Sequence, residues 1–119
     1  PPRSTLFPYT TLFRSAWFTF DELCARPLGA GDYLAIATHY HTVLIDMVPR
    51  LPEALRNEAK RFMTLIDALY EHKVNTIIAA EVAPERIYAE GTHAFEFQRT
   101  ISRLMEMQSQ DYLAREHLT

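Results

Sequence analysis

The sequence predicts an α/β fold: a layer of about three mostly parallel strands with flanking helices, in a sheet that is incomplete. Three observations predict it. Short runs rich in β-branched and aromatic residues recur along the chain, separated by longer segments with apolar residues at i, i+3, i+4 and i+7 spacing. Two of the runs are continuous rather than alternating, the mark of strands buried on both faces of a parallel sheet. Three strands make only a narrow sheet with an open edge, where a further strand is expected.

Trp17, Phe18, Thr19 and Phe20 form the first strand signal. Asp21 to Cys24 lead into a turn region at 26–31 that holds Pro27, Gly29 and Gly31. Asp32 is the expected N-cap of a helix whose Tyr33, Ile36, Ala37 and Tyr40 share one face. Thr42, Val43, Leu44 and Ile45 read as a buried parallel strand ending at Asp46. Pro52 occupies a helix-start position, and Leu55, Ala59, Phe62, Ile66, Leu69 and Tyr70 recur on one face of a helix over 52–72. Residues 74–80 read as a second buried strand, closed by Ala83 and Pro84. A last amphipathic helix is expected over 94–115, with Phe97, Ile101, Leu104 and Met105 inward.

Composition narrows the function classes. Hydrophobic residues are 48% of the 119 and charged residues 23%, a globular balance. The net charge of -3 argues against general electrostatic binding of nucleic acid, so no nucleic-acid partner is expected. No apolar run approaches the roughly 18 residues of a membrane-spanning helix. The single cysteine, Cys24, has no partner for an internal disulfide, which fits a reducing compartment. A chain of this length is too short for a complete nucleotide-driven α/β motor domain.

The segment 1–15, PPRSTLFPYTTLFRS, differs in character from residues 16–119 and has no acidic residue. It lacks the apolar core and cleavage site of a secretory signal. It resembles the conceptual translation of a sequencing adapter, so 1–15 is expected to be a non-native artefact and 16–119 the natural sequence, beginning in mid-domain. Without Arg3 and Arg14, ten basic residues face fifteen acidic ones, a net charge of -5.

Several residues raise the question of chemistry. Asp46 ends VLID in the layout of a Walker B strand, but an ordinary strand-end Asp capping a turn is the commoner explanation. No G-x-x-x-x-G-K-[ST] accompanies it, since the glycines are Gly29, Gly31 and Gly91 and the lysines Lys60 and Lys73. His39, His41 and His72 sit near helix ends and strand starts without further ligands at metal spacing, so no metal site is expected. Cys24 and Ser102 have no context that positions a base. Arg56, Glu58, Lys60 and Arg61 look like a solvated helix face. The densest unusual feature is Arg99 with Arg103, four apart on one helix face, close to the helix start where the dipole disfavours cations. Pairing with Glu96 or Glu106 on the same helix explains them, and so does a nearby anion such as a phosphate.

The stretches WFTFDELCARPLGAGDYLAIA, HTVLIDMVPRL, NEAKRFMTLIDALYEHKV, AAEVAPERIY and FEFQRTISRLMEMQSQDYL together resemble the carboxyl-terminal part of the ZapE / lactation-elevated ATPase family. These are P-loop ATPases related to the AAA+ class, and the resemblance runs over about residues 16–113. It implies a partial P-loop NTPase layer, and an intact protein that uses ATP and Mg²⁺ to remodel a protein partner. In bacteria it implies a cytoplasmic protein at the division ring, peripheral to the inner membrane, with division-ring proteins as partners; in mitochondria, protein quality control. The family's P-loop and Walker B residues lie upstream of the stretches present, so Asp46 is not the family's Mg²⁺ aspartate and this chain alone is expected to bind no cofactor and to be inactive. Departures are small and fall in the loops at 82–84 and 90–93. In the intact protein, a homo-oligomer, Arg99 and Arg103 are the candidates for nucleotide-sensing or trans-acting interface arginines. The competing readings are a stand-alone α/β interaction module without catalysis and a receiver-like domain with Asp46 as phospho-acceptor. An upstream reading frame carrying a P-loop and an acidic pair separates the first reading from the other two.

Overall fold

A computed structural model describes residues 15–107. The adapter-like segment therefore lies outside the described residues, apart from Ser15, and so does the end of the last expected helix. The elements run β1 (Ser15–Thr19), α1 (Phe20–Cys24), α2 (Ala30–His39), β2 (Thr42–Val48), α3 (Arg56–Glu71), β3 (Asn75–Ala80), α4 (Pro84–Ile87) and α5 (Ala94–Met107). A single turn of 3₁₀ helix, Glu53–Leu55, leads into α3.

The three strands form one sheet in the order β1-β2-β3, and both pairings are parallel. This is the incomplete α/β layer that the alternation of runs and helices predicts. One face of the sheet carries Ala16 and Phe18, Val43 and Ile45, all buried. Tyr33 and Ala37 of α2, Phe62 and Ile66 of α3 and Phe97 and Leu104 of α5 belong to the same core. An aromatic series threads the helical layer: Phe20 lies 5.8 Å from Phe62, Phe62 lies 6.2 Å from Phe97, and Phe97 lies 5.7 Å from Tyr88 (ring centroids). Such ring pairs add direction to the apolar burial that holds α1, α3 and α5 together.

Several expectations are corrected. The first strand stops at Thr19, because Thr19 and Glu22 close a capping box: the Glu22 N–H donates to Thr19 Oγ1 at 3.2 Å, and the Thr19 N–H donates to the Glu22 carboxylate at 2.9 Å. Phe20 to Cys24 are helix, where a lead into a turn was expected. Gly29, not Asp32, is the N-cap of α2; Asp32 sits three residues inside and accepts the Gly29 N–H at 2.8 Å. β3 is not a buried strand, since Ile77 is 51% exposed and no residue of the strand is fully buried. In α5 Phe97 and Leu104 are buried and Ile101 packs partly buried against the core as expected, Thr100 and Met107 join them, and Met105 faces out. Pro84 starts the short helix α4 as well as ending the strand region.

The exit of α3 is a tight C-terminal turn. The Val74 N–H donates to the Leu69 carbonyl at 2.9 Å and the Lys73 N–H to the Tyr70 carbonyl at 3.1 Å, with Lys73 at φ 55°. This is the Schellman arrangement with lysine in the left-handed position usually held by glycine.

Candidate functional site

The two arginines singled out by spacing lie together on α5, against α3. Arg99 Nη2 donates to Asp67 Oδ2 at 3.0 Å and Arg103 Nη1 donates to Asp67 Oδ1 at 2.5 Å. Both ion pairs thus reach across to α3 rather than to a glutamate of the same helix. Glu96 instead meets His93 Nδ1 at 3.3 Å, and Glu106 accepts from the Tyr70 hydroxyl at 2.7 Å. Arg103 also lies over the Tyr70 ring, 4.8 Å from its centroid. The result is a polar seam across the α3–α5 contact, with Asp67 and Tyr70 from α3, and Arg99, Arg103 and Glu106 from α5.

The two arginines differ in environment. Arg103 is 22% exposed, held between the carboxylate and an aromatic face, and is built into the seam. Arg99 is 64% exposed and meets Asp67 through one nitrogen, so most of its guanidinium remains open to solvent. Asp67 faces both cations, and with the Glu106 carboxylate on Tyr70 the seam holds two carboxylates against two guanidiniums. The helix starts at Ala94, so Arg99 and Arg103 lie in its second and third turns rather than at the start expected for them. The sequence marks both arginines but not Asp67. Its contacts are 32 and 36 residues away along the chain, and nothing local singles it out.

A second network ties a loop to the start of α3. Glu53 Oε1 accepts the Thr92 N–H at 2.7 Å and the Tyr88 hydroxyl at 3.1 Å, while Oε2 accepts the Thr92 hydroxyl. The Thr92 hydrogen bonds, first the side chain's and then the backbone's, hold the Glu53 carboxyl below its ordinary value. Gly91 is obligatory here. Its φ is +133°, and a Cβ would come within 2.3 Å of Glu53 Oε1 and 2.6 Å of the Tyr88 hydroxyl. Residues 50–53 and 89–91 line an open cleft of about 680 Å³ beside this network.

The other sequence candidates are placed as follows. Cys24 is fully buried, and its backbone carbonyl accepts from Arg61 Nη1 at 2.9 Å. Burial pushes its thiol up to about 12, partly offset by Arg61, so the nucleophilic thiolate is suppressed. Arg61 thus departs from the solvated helix face expected of it, and Tyr33 completes the joint by donating to the Leu23 carbonyl at 2.7 Å. Asp46 lies inside β2 opposite Thr19 rather than at the strand end. Its carboxylate accepts the Met47 N–H at 2.8 Å, where Met47 adopts φ 59° at an irregularity of the β2–β3 pairing. His39 packs edge-on to Tyr40, and His72 Nδ1 lies 3.1 Å from the Ala68 carbonyl at the end of α3. Ser102 is exposed on α5. Among the described residues, no group of three His, Cys, Asp or Glu side chains is placed to hold a metal ion, and no helix is long and apolar enough to cross a membrane.

Comparison with known proteins places the chain. Cell division protein ZapE of Escherichia coli K12 is 43% identical over 100 residues, covering 84% of this chain and 27% of that protein. Lactation elevated protein 1 homolog B of Danio rerio is 36% identical over 126 residues, covering 79% of this chain and 25% of that protein. The chain thus spans about a quarter of the length of these relatives. No solved structure matches it significantly. The AFG1-like ATPase family model matches residues 11–116, nearly the whole length, and the chain belongs to the AFG1-like ATPase family.

Proposed function

We propose that this chain is the carboxyl-terminal part of a ZapE-like P-loop ATPase, residues 16–119 being its natural portion and 1–15 an adapter-derived addition. The intact protein hydrolyses ATP with Mg²⁺ and uses the energy to remodel a protein partner, at the division ring in a bacterial cytoplasm. The observation that carries the family part of the reading is the match over residues 11–116, which extends five residues into the segment read as adapter. Its support in bacteria is the relative named a cell division protein.

The chain's own residues do not fit a nucleotide–Mg²⁺ site. None of the three glycines precedes a lysine in P-loop spacing, and the described residues offer no metal-binding cluster. The nucleotide site, on this reading, belongs to the rest of the polypeptide, and the chain alone does not turn over ATP. On this reading Arg99 and Arg103 are interface arginines of a homo-oligomer. Arg99, largely solvent-exposed, presents the charge, and Asp67 with Tyr70 fixes Arg103 and the helix that carries both.

Two measurements test this. Titration of the chain with ATP in a calorimeter is expected to show no binding, and a micromolar Kd would overturn the assignment of the nucleotide site elsewhere. In a full-length protein carrying this chain, Arg99→Ala is expected to lower ATP turnover at least about tenfold with thermal stability unchanged, the scale set by arginines that stabilise phosphoryl transfer. Unchanged turnover in that variant would remove the role given to Arg99.

A further inference from the structure

Arg99 and Arg103 share one carboxylate but hold it in unequal ways. Arg103 Nη1 donates to Asp67 Oδ1, its guanidinium lies over the Tyr70 ring, and its side chain is 22% exposed. Arg99 Nη2 donates to Asp67 Oδ2 at 3.0 Å, its one ion pair among the described residues, and its side chain is 64% exposed. Each arginine thus has its own carboxylate oxygen. When Arg99 leaves, Oδ2 is vacated but Asp67 keeps a charge partner in Arg103, so no withdrawn charge is stranded.

The contact between the two helices does not depend on Arg99 either. Phe62 of α3 stacks on Phe97 of α5, and the Tyr70 hydroxyl donates to Glu106. Arg103 is the contrast, since its departure gives up both the carboxylate and the aromatic face. An exposed ion pair such as Asp67–Arg99 biases an equilibrium by only about two- to fivefold. A phosphate offers the guanidinium two parallel N–H···O bonds where Asp67 takes one.

We propose that Asp67 is the resting partner of Arg99, a carboxylate that occupies the guanidinium until a phosphate oxyanion displaces it. The inference rests on the reading of Arg99 as an interface arginine, which supplies the source of the phosphate: the nucleotide held by a second copy. To that reading it adds the regulation of the site. With Asp67 in place the seam holds two carboxylates against two guanidiniums, so it pulls weakly on a distant anion. Arg99 engages once a phosphate is close enough to exchange two hydrogen bonds for one. The observed affinity for phosphate is lowered by the fraction of Arg99 that stays on Asp67.

Heteronuclear NMR of the arginine Nε–Hε groups, in the whole chain titrated with inorganic tripolyphosphate at constant ionic strength, tests the exchange without reading turnover. The Arg99 signal, assigned by its loss in Arg99→Lys, is expected to move saturably, with a Kd in the millimolar range, far weaker than a nucleotide site. The Arg103 signal is expected to stay in place. Equal movement of the two signals, or an unmoved Arg99 signal, would overturn the proposal. Asp67→Asn, confirmed as folded by circular dichroism, is expected to tighten tripolyphosphate binding at Arg99 about two- to fivefold. Asp67→Glu, which restores the carboxylate, is expected to return the parent value. Unchanged or weaker binding in folded Asp67→Asn would also overturn the proposal, and the parent titration decides alone where that variant does not fold. ATP turnover of Arg99→Ala in the full-length protein is read separately. Unchanged turnover there removes the interface role, whereas failure of the exchange shows only in the chain's own titration.

Discussion

Asp67 and Arg103 meet across the α3–α5 contact at 2.5 Å, with both side chains about three-quarters withdrawn from solvent. Withdrawal makes the pair worth more than a surface ion pair, since removing one partner strands a charge that water reaches poorly. Asp67→Ala is expected to cost about 1–3 kcal/mol in denaturant unfolding. Arg99→Ala, which removes a largely solvated contact, is expected to cost less than about 1 kcal/mol. A loss from Arg99→Ala as large as that from Asp67→Ala would show that Arg99, rather than Arg103, carries the contact.

Lys73 ends α3 with φ 55°, a conformation that costs an L side chain about 1–2 kcal/mol relative to glycine. Lys73 is exposed, so its side chain contributes little packing. Lys73→Gly is therefore expected to raise stability by about 1 kcal/mol, seen as a higher denaturant midpoint with unchanged slope.

The Glu53 network carries an acid-dependent contribution. Its carboxyl is held below the ordinary value of 4.5 by hydrogen bonds from Thr92. The folded state therefore binds the proton less readily than the unfolded state does. The stabilisation is fully present above about pH 4.5 and is lost as the pH falls through the lower folded value. Glu53→Gln is expected to be less stable than the parent at pH 6 and to converge on it in acid. A gap between the two that stays constant down to pH 2 would contradict the network. Gly91→Ala, which drives a methyl group into Glu53 and Tyr88, is expected to destabilise at all these pH values.

Cys24 reports on the core. With the thiol fully buried and its pKa pushed up to about 12, the folded chain is expected to react with a disulfide reagent at pH 8 more than about 100-fold slower than the unfolded chain. Unfolding should then release one thiol equivalent. Rapid labelling of the folded chain would place Cys24 outside the core.

Much of the architecture is legible in the sequence, and the exceptions have specific causes. Three strands and the long helices are marked by runs and periodicity. α1 escapes that reading although Thr19 and Glu22 spell its capping box, because the aromatic run before it draws the expected strand one residue too far. β3 looks buried because Ile77 and Ile78 are adjacent and apolar, yet Ile77 shares the face of Trp17 and Leu44, away from the helical core, and is half in water. In the candidate site, Arg99 and Arg103 are visible from their i, i+4 spacing. Asp67 is not, since no local pattern links residues more than 30 positions apart.

By itself the sequence determined the α/β class, the parallel runs, the amphipathic faces and the family resemblance. These are local properties: periodicity, caps and characteristic stretches are written within a few turns of chain. Only the tertiary structure decided that Asp67 holds both arginines, that Glu53 straps the 88–92 loop, and that Trp17, Leu44 and Ile77 line up on an open face. Each depends on segments distant in sequence being brought into register by the core, and a linear pattern carries no record of that juxtaposition.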